Sequence, residues 1–449
     1  MSQPSVSKPL SITSPTVLLS LSISAEVFSG NWKYLHIPLG ADRVLFVLGI
    51  ASLILGGVRA VSERKLRARP VHLLLLATAV YATASAIAVH TFNQSDGFFA
   101  LLDRLGIIPF VMFCLAPLLF RQAKQRNFLL LVLVVLGGYL GLVAVLEGVG
   151  LTRLVLPSYI RNPNIGLHYG RARGPFLESA ADGLSLFMCG VAAVVGMKVW
   201  QTRGTRLACA AVAALCGLGV IFTLTRAVWV GAAVAGVATM LVSPRTRRWI
   251  APTAVIGGLA VVAVVFFVPG LSSKVQGRTQ DQLPVWDRYN TNDAAIRMVR
   301  AKPIFGFGWQ TFVSKGPAYM RQAGNYPLTG AGNEVHNVFL SHAAELGLVG
   351  FLLWTLALFG AVGGAIVRRG PPDLAPWRYG LFAIFIAFLI VANLGPLSYA
   401  FPNVLLWTWA GIAGADHYLR PLDVDRTTED TVDRATSPAE ALTTGAALA

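Results

Sequence analysis

The apolar positions of this 449-residue chain gather in long runs separated by short polar breaks. Phe128–Leu146, Leu207–Leu224, Ala227–Val242 and Phe351–Val367 approach or exceed the roughly 20 residues that span about 30 Å of hydrocarbon. Laying the runs against the breaks predicts twelve helices, at 12–29, 41–59, 71–91, 98–120, 127–147, 179–199, 207–224, 226–243, 250–269, 336–366, 379–396 and 402–418. The first is read as a spanning helix rather than a removed signal peptide, because no clean cleavage site precedes its apolar run. Two intervening stretches, Gly148–Glu178 and Gly270–Val335, are too long to be mere connectors. In the second, Trp286–Lys302 reads as a helix stopped by Pro303, and Ile304–Trp309 as a turn packed by aromatics. The expected fold is therefore an all-α, polytopic transmembrane bundle with a large extracytoplasmic loop containing short helices. Its parts are helices one to nine over 12–269, the loop over 270–335, helices ten to twelve over 336–418, and a tail over 419–449. The tail is rich in Thr, Asp, Glu and Ala and is expected to be disordered and cytoplasmic.

Composition agrees. The chain is 55% hydrophobic and 13% charged, against about 25% charged in soluble domains, and its mean hydropathy is +0.62. A formal charge of +16 invites a nucleic-acid partner, but the distribution excludes that reading. Arg59, Arg64, Lys65, Arg67 and Arg69 form one cluster; Arg121, Lys124 and Arg126 a second; Arg203 and Arg206 a third. Arg245, Arg247 and Arg248, then Arg368, Arg369 and Arg378, complete a series that alternates with the helices and falls on one side. That is the positive-inside pattern, and it puts both termini in the cytoplasm. The short loops opposite, 91–97 and 397–401, carry no Lys or Arg. The two long loops break the rule with Arg153, Arg161, Arg171 and Arg173 in one and Lys274, Arg278, Arg288, Arg297 and others in the second. An anionic ligand at the outer surface would explain the excess, and so would lipid phosphates. The four cysteines lie inside apolar runs and read as small core residues.

Few residues could carry chemistry. His336 opens the tenth predicted helix at the edge of the low-dielectric region, where an imidazole can exchange a proton near neutrality or simply cap the helix. His342 and Glu345 are six and nine residues further on, roughly 240° and 180° round a helix, so neither shares its face. Their spacing offers no metal site. Glu345, an acid within a bundle, calls for a structural partner on a neighbouring helix, and Gly347 and Gly350 offer a surface for close packing. Arg226 sits at the tight outer junction of helices seven and eight, either as a snorkelling side chain or as a planar fork for phosphate. Arg288, Arg171 and Arg173 are further anion-binding candidates. No nucleotide-binding loop or hydrolase motif is present.

The segment His336-Asn-Val-Phe-Leu340, followed by Ala344-Glu-Leu-Gly347 and Gly350, resembles the signature helix of the O-antigen ligase/polymerase superfamily, the WaaL/Wzy-like polytopic membrane glycosyltransferases. Thr223-Leu-Thr-Arg226-Ala-Val-Trp is similar to its arginine motif, with Thr225 where many relatives have Ser. Asp287-Arg288 with Pro303-Ile-Phe-Gly306-Phe-Gly308 resembles the opening of its large loop, and Arg173-Gly-Pro-Phe176 its segment before helix six. The resemblance implies a GT-C-like bundle in the bacterial cytoplasmic membrane, its site facing outward. It implies inverting glycosyl transfer from a polyprenyl-diphosphate-linked oligosaccharide or polysaccharide to a glycan or lipid-linked acceptor, with no metal or other cofactor. In that scheme Arg226 and Arg288 bind the diphosphate, Arg173 and Arg171 add contacts, and His336 takes or aligns the acceptor hydroxyl. Three alternatives stay open. A lipid-linked glycan flippase or transporter would need matching interrupted helices, and no such pair is evident in the sequence. An O-linked protein oligosaccharyltransferase would share the His and Glu. A peptidoglycan-type transferase would rest on Asp281, Asp287 or Asp293.

Overall fold

The computed structural model describes residues 11–56 and 64–421, Arg245 and Ala323 excepted. Lys8, Arg59, Arg245 and the tail beyond Pro421 lie outside the described residues. All twelve predicted segments are helical: α1 Pro15–Phe28, α2 Ala41–Gly56, α3 Pro70–Ala88, α4 Ser95–Leu119, α5 Ala123–Gly148 and α6 Ser179–Val199. Then follow α7 Arg203–Phe222, α8 Arg226–Val242, α9 Arg247–Phe267, α10 Val338–Val367, α11 Pro372–Leu394 and α12 Ala400–Ala413. Among the described residues, eight helices are long and apolar enough to cross a membrane. Local chemistry fixes several starts. Ser14, Glu178, Thr202 and Asn337 each accept a backbone N–H of the first turn of α1, α6, α7 and α10, satisfying a donor that has no partner within the helix.

Burial runs opposite ways in two helices of similar apolar character. No residue of α9 is buried, and Val255, Ile256, Leu259, Phe266 and Phe267 are exposed. Every residue of α12 is buried, its faces taken by α4 and α11. An exposed apolar cylinder is unstable in water and at home in lipid, so this multi-pass bundle has the bilayer as its solvent. Elsewhere α5, α6 and α7 pack as a trio, α8 lies on α11, α10 on α3, and α1 on α2. The ion pair of Arg43 with Asp103 (2.7 Å) ties α2 to α4, and that of Arg126 with Asp373 (2.5 Å) ties α5 to the start of α11. A short antiparallel ribbon joins Arg64–Leu66 to Leu419–Pro421.

The chain between α9 and α10 carries two substantial helices, Leu271–Gln280 and Leu283–Ala301, the second close to the predicted span. The expected turn at 304–309 proves to be part of the bundle, because α10 is interrupted. Gly347 has φ 66° and ψ −174°, a region of backbone space open essentially to glycine. Leu348 and Val349 therefore donate their N–H groups to the carbonyls of Pro303 (2.8 Å) and Ile304 (3.3 Å). The carbonyls of Ala344 and Glu345, freed in turn, accept from Phe307 (3.1 Å) and Gly308 (2.7 Å). Tyr81 Oη donates to the Leu346 carbonyl at 2.9 Å. Every exchange keeps backbone polar groups paired where water is scarce. Gly350, expected at a close contact, meets α3: a Cβ there would lie 2.8 Å from the Tyr81 ring. α4 is interrupted as well, at Gly106 with φ 118°. The break in α10 carries no proline, and a glycine within an apolar run gives no warning of one; in α4, Pro109 follows Gly106 by three residues and cannot donate back to the Leu105 carbonyl.

Gly347→Ala should lower stability by about 1–3 kcal/mol or more, since the residue must leave its φ/ψ region and its Cβ would collide with the Ile304 carbonyl. Thermal melting of the detergent-solubilised protein checks this; an unchanged melting temperature would mean the break does not depend on glycine.

Candidate functional site

Glu345 works from the broken turn. Buried at 3% exposure, its carboxylate accepts the N–H groups of Gln310 (3.0 Å) and Phe312 (2.9 Å). The expected partner on a neighbouring helix is thus replaced by the backbone of the large loop. The same stretch is held by Trp309, whose N–H reaches Ser85 Oγ at 3.2 Å and whose carbonyl accepts from Thr91 Oγ1 at 2.9 Å. α3, α4 and α10 therefore fix where the loop leaves the bundle and where it re-enters.

The loop's other end meets the α7–α8 junction. Leu224, at φ 50°, makes the turn tight, and Arg226 is the first residue of α8. Its guanidinium donates to the Asp281 carbonyl at 3.4 Å, in the hinge between the two loop helices. Around it stand Arg171 from the 149–178 segment and Arg278 and Arg288 from the loop helices, all half-buried. Their mutual influence is evident in their acidity. Burial, then the Arg278 cation, lowers Arg171 to about 10, with Arg226 acting in the same direction. Burial, then Arg226 and Arg278, lowers Arg288. Nε of Arg278 and Nε of Arg288 are buried without partners. Four guanidiniums thus crowd one place from three separate parts of the chain, faced by Asp281, which is ion-paired with Arg278, and by Glu178, which acts on Arg171. Crowded cations with unused donors suit an oligo-anion such as a diphosphate.

His336 lies beside this cluster. α10 begins two residues later than expected, at Val338 with Asn337 as its cap, so His336 is in the entering loop and the helical-face comparison with His342 and Glu345 does not apply to it. Burial first, and then the Arg288 cation, holds its imidazole below the ordinary value of 6.5, against the opposing pull of Asp287 and Glu334. The ring hydrogen-bonds the Glu334 backbone, and Nδ1 is buried with no partner. A neutral imidazole whose remaining nitrogen is a bare acceptor has the form a general base requires. His342 is a core residue, packed edge-on to Trp354 (4.5 Å between centroids) and close to Trp309 (5.8 Å).

Arg173, expected at the diphosphate, does something else. With 0% exposure, it donates to the carbonyls of Ile160 (2.9 Å), Asn162 (2.6 Å), Ile165 (2.6 Å) and Leu167 (3.5 Å) and lies over the Tyr169 ring at 4.9 Å. It organises the 149–178 segment and leaves no face for a ligand. Asp281 and Asp293 are ion-paired with Arg278 and Arg297, and Asp287 accepts from Asn333 at 3.5 Å. Arg278 joins the cluster although sequence reasoning did not single it out. The basic surplus of the loop was visible, but not which member turns inward.

Residues 211–355 match the family described as O-Antigen ligase. That segment includes Arg226, Arg278, Arg288, His336, Glu345 and Gly347; Arg171 and Arg173 precede it. Among curated proteins, exopolysaccharide production protein ExoQ of Rhizobium meliloti (strain 1021) is 26% identical over 204 residues. The alignment takes in 42% of this chain and 44% of that protein, so the chain spans less than half the length of the relative it matches. Both findings support the resemblance to the O-antigen ligase/polymerase superfamily.

Since burial and Arg288 keep His336 neutral, its protonation midpoint should lie below 6.5, and Arg288→Gln should move it upward. A function that needs the neutral ring is then retained above this midpoint and lost as pH falls through it. Histidine-selective NMR titration, with His336→Gln to assign the signal, measures both; identical midpoints with and without Arg288 would contradict the assigned coupling.

Proposed function

We propose that the protein is a membrane glycosyltransferase that moves a glycan from a polyprenyl-diphosphate carrier to an acceptor hydroxyl at the outer face of the bacterial cytoplasmic membrane. The observation that carries this reading is the convergence of Arg171, Arg226, Arg278 and Arg288 beside a neutral His336. The arginines hold the diphosphate and stabilise the charge it gains as the glycosidic bond breaks, the part a metal ion plays in other transferases. His336 accepts the proton of the attacking hydroxyl through Nδ1, or aligns that hydroxyl in line with the leaving diphosphate. A single displacement of this kind inverts the anomeric carbon. The carrier lipid stays in the bilayer, and the basic clusters between the helices support the reading that both termini are cytoplasmic. The acceptor is a growing glycan or a lipid-linked core, which makes the protein a polymerase or a ligase; transfer to a protein hydroxyl would use the same residues.

The test uses purified full-length protein in nanodiscs with a polyprenyl-diphosphate oligosaccharide, its products resolved by size. A ladder identifies a polymerase and one shifted acceptor band a ligase. Arg226→Ala, Arg288→Ala and His336→Ala should each lower kcat by about 10²–10³, a chelator should leave the rate unchanged, and full activity in all three variants would refute the reading. A flippase is the second reading, favoured by the interruptions at Gly106 and Gly347. The position of precursor in cells lacking the activity separates the two: outside for a lost transferase, inside for a lost flippase.

A further inference from the structure

Arg226, Arg288 and His336 do not line a second space, a cavity of about 1300 Å³ between α1, α2 and α4 and the large loop. Glu334 and Tyr399 stand at the boundary: both line the cavity, yet Glu334 acts on His336 and Tyr399 hydrogen-bonds Glu178. The cavity thus adjoins the arginine cluster across one layer of side chains.

Its wall has unused hydrogen-bonding capacity. Glu26 and Asp42, 3% and 1% exposed, lie within hydrogen-bonding reach of one another, and apart from that mutual contact neither Glu26 Oε2 nor either carboxyl oxygen of Asp42 has a partner among the described residues. Trp32 Nε1 is likewise buried and unpartnered. Gly40 packs closely against this corner, where a side chain would strike Asp42 and the Trp32 ring. Buried polar atoms are seldom left unsatisfied, so the carboxyl oxygens not engaged between these two acids, together with an indole N–H, call for a ligand bearing several hydroxyls. The cations lining the cavity are already engaged: Arg43 is paired with Asp103 and Arg104 with Glu334, and Lys315 Nζ donates to the Phe307 carbonyl at 3.3 Å, while Glu26 and Asp42 add acid groups and no cation. These acids do not suit a metal ion, as no group of three or more His, Cys, Asp or Glu among the described residues is placed to hold one. At the mouth, Val47 and Leu48 of α2 line the cavity and are 64% and 50% exposed, an apolar lip that opens sideways toward lipid.

We infer that this cavity is a binding subsite for an uncharged oligosaccharide, the acceptor glycan, entering between α2 and α4 with its hydroxyls on Glu26, Asp42 and Trp32. The inference rests on the glycosyl-transfer reading and adds to it a place and a chemical class for the second substrate. Aromatic and carboxyl groups side by side suit a sugar, which offers an apolar ring face and a rim of donors.

Native mass spectrometry of the full chain in nanodiscs tests it without turnover. The probes are neutral tetrasaccharides of glucose, galactose and mannose, their dodecyl glycosides, a hexuronate tetrasaccharide, and inorganic pyrophosphate. Neutral sugars should bind, and Asp42→Asn, Glu26→Gln and the lipid-facing Val47→Trp should each weaken them at least tenfold while leaving pyrophosphate affinity unchanged. Tighter binding of the dodecyl forms identifies a lipid-borne sugar and equal affinity a free one, both in support. The inference is overturned if no neutral sugar binds, if the hexuronate binds as well, or if sugar affinity is indifferent to both Asp42→Asn and Val47→Trp. Sugar binding intact in a protein without transferase activity would sink the transfer reading alone; transfer intact with no sugar bound here would sink the subsite alone.

Discussion

The structure depends on a constraint the bilayer imposes, that a backbone N–H or C=O cannot be left bare where there is no water to bond it. A helix breaks within the bundle only if something replaces the lost hydrogen bonds, and in α10 the replacement is the segment 303–308. Two N–H groups and two carbonyls released around Gly347 are taken up by residues from the far end of the large loop, and Glu345 binds two further amides of that segment. The loop is therefore an integral part of the bundle at this point. Its two helices gain a fixed foundation, and through them Arg278 and Arg288 gain fixed positions relative to Arg226.

That rigidity bears on the chemistry because the cluster is electrostatically unfavourable by itself. Like charges brought together and partly withdrawn from water repel, and flexible side chains on a flexible loop would simply move apart. Here the scaffold opposes that separation: Arg226 sits at a helix start beyond a tight turn, Arg288 on a long helix, and Arg171 on a segment whose backbone is gathered around the Arg173 guanidinium. An anion among them would relieve the repulsion. Arg173 holds the segment in place, and its position two residues from Arg171 in the sequence gave no hint of the difference.

The helices were legible in the sequence because spanning a membrane is a one-dimensional requirement of length and apolarity, which long runs such as Phe128–Leu146 meet openly. Arg226, Arg288 and His336 were found by residue type, position at helix ends and resemblance. What could not be read was anything that depends on which way a side chain faces. Arg171 and Arg173 are two residues apart and chemically identical, yet one faces the cluster and the other is enclosed by carbonyls. Glu345 appeared to need a helix and found two backbone amides. The carboxyl pair of Glu26 and Asp42 lies on helices that read as ordinary spans, each acid unremarkable until folding sets them face to face.

The contrast between α9 and α12 has an evolutionary corollary. Lipid has no fixed shape, so a helix that touches only lipid is judged on bulk oiliness, and leucine, valine or phenylalanine will serve almost interchangeably along its length. A helix enclosed on every side answers to neighbours of definite form, and exchanging even isomeric side chains there disturbs many contacts at once. Two apolar helices of one chain are therefore under opposite regimes of selection, and among homologues the former should drift freely while the latter stays nearly frozen.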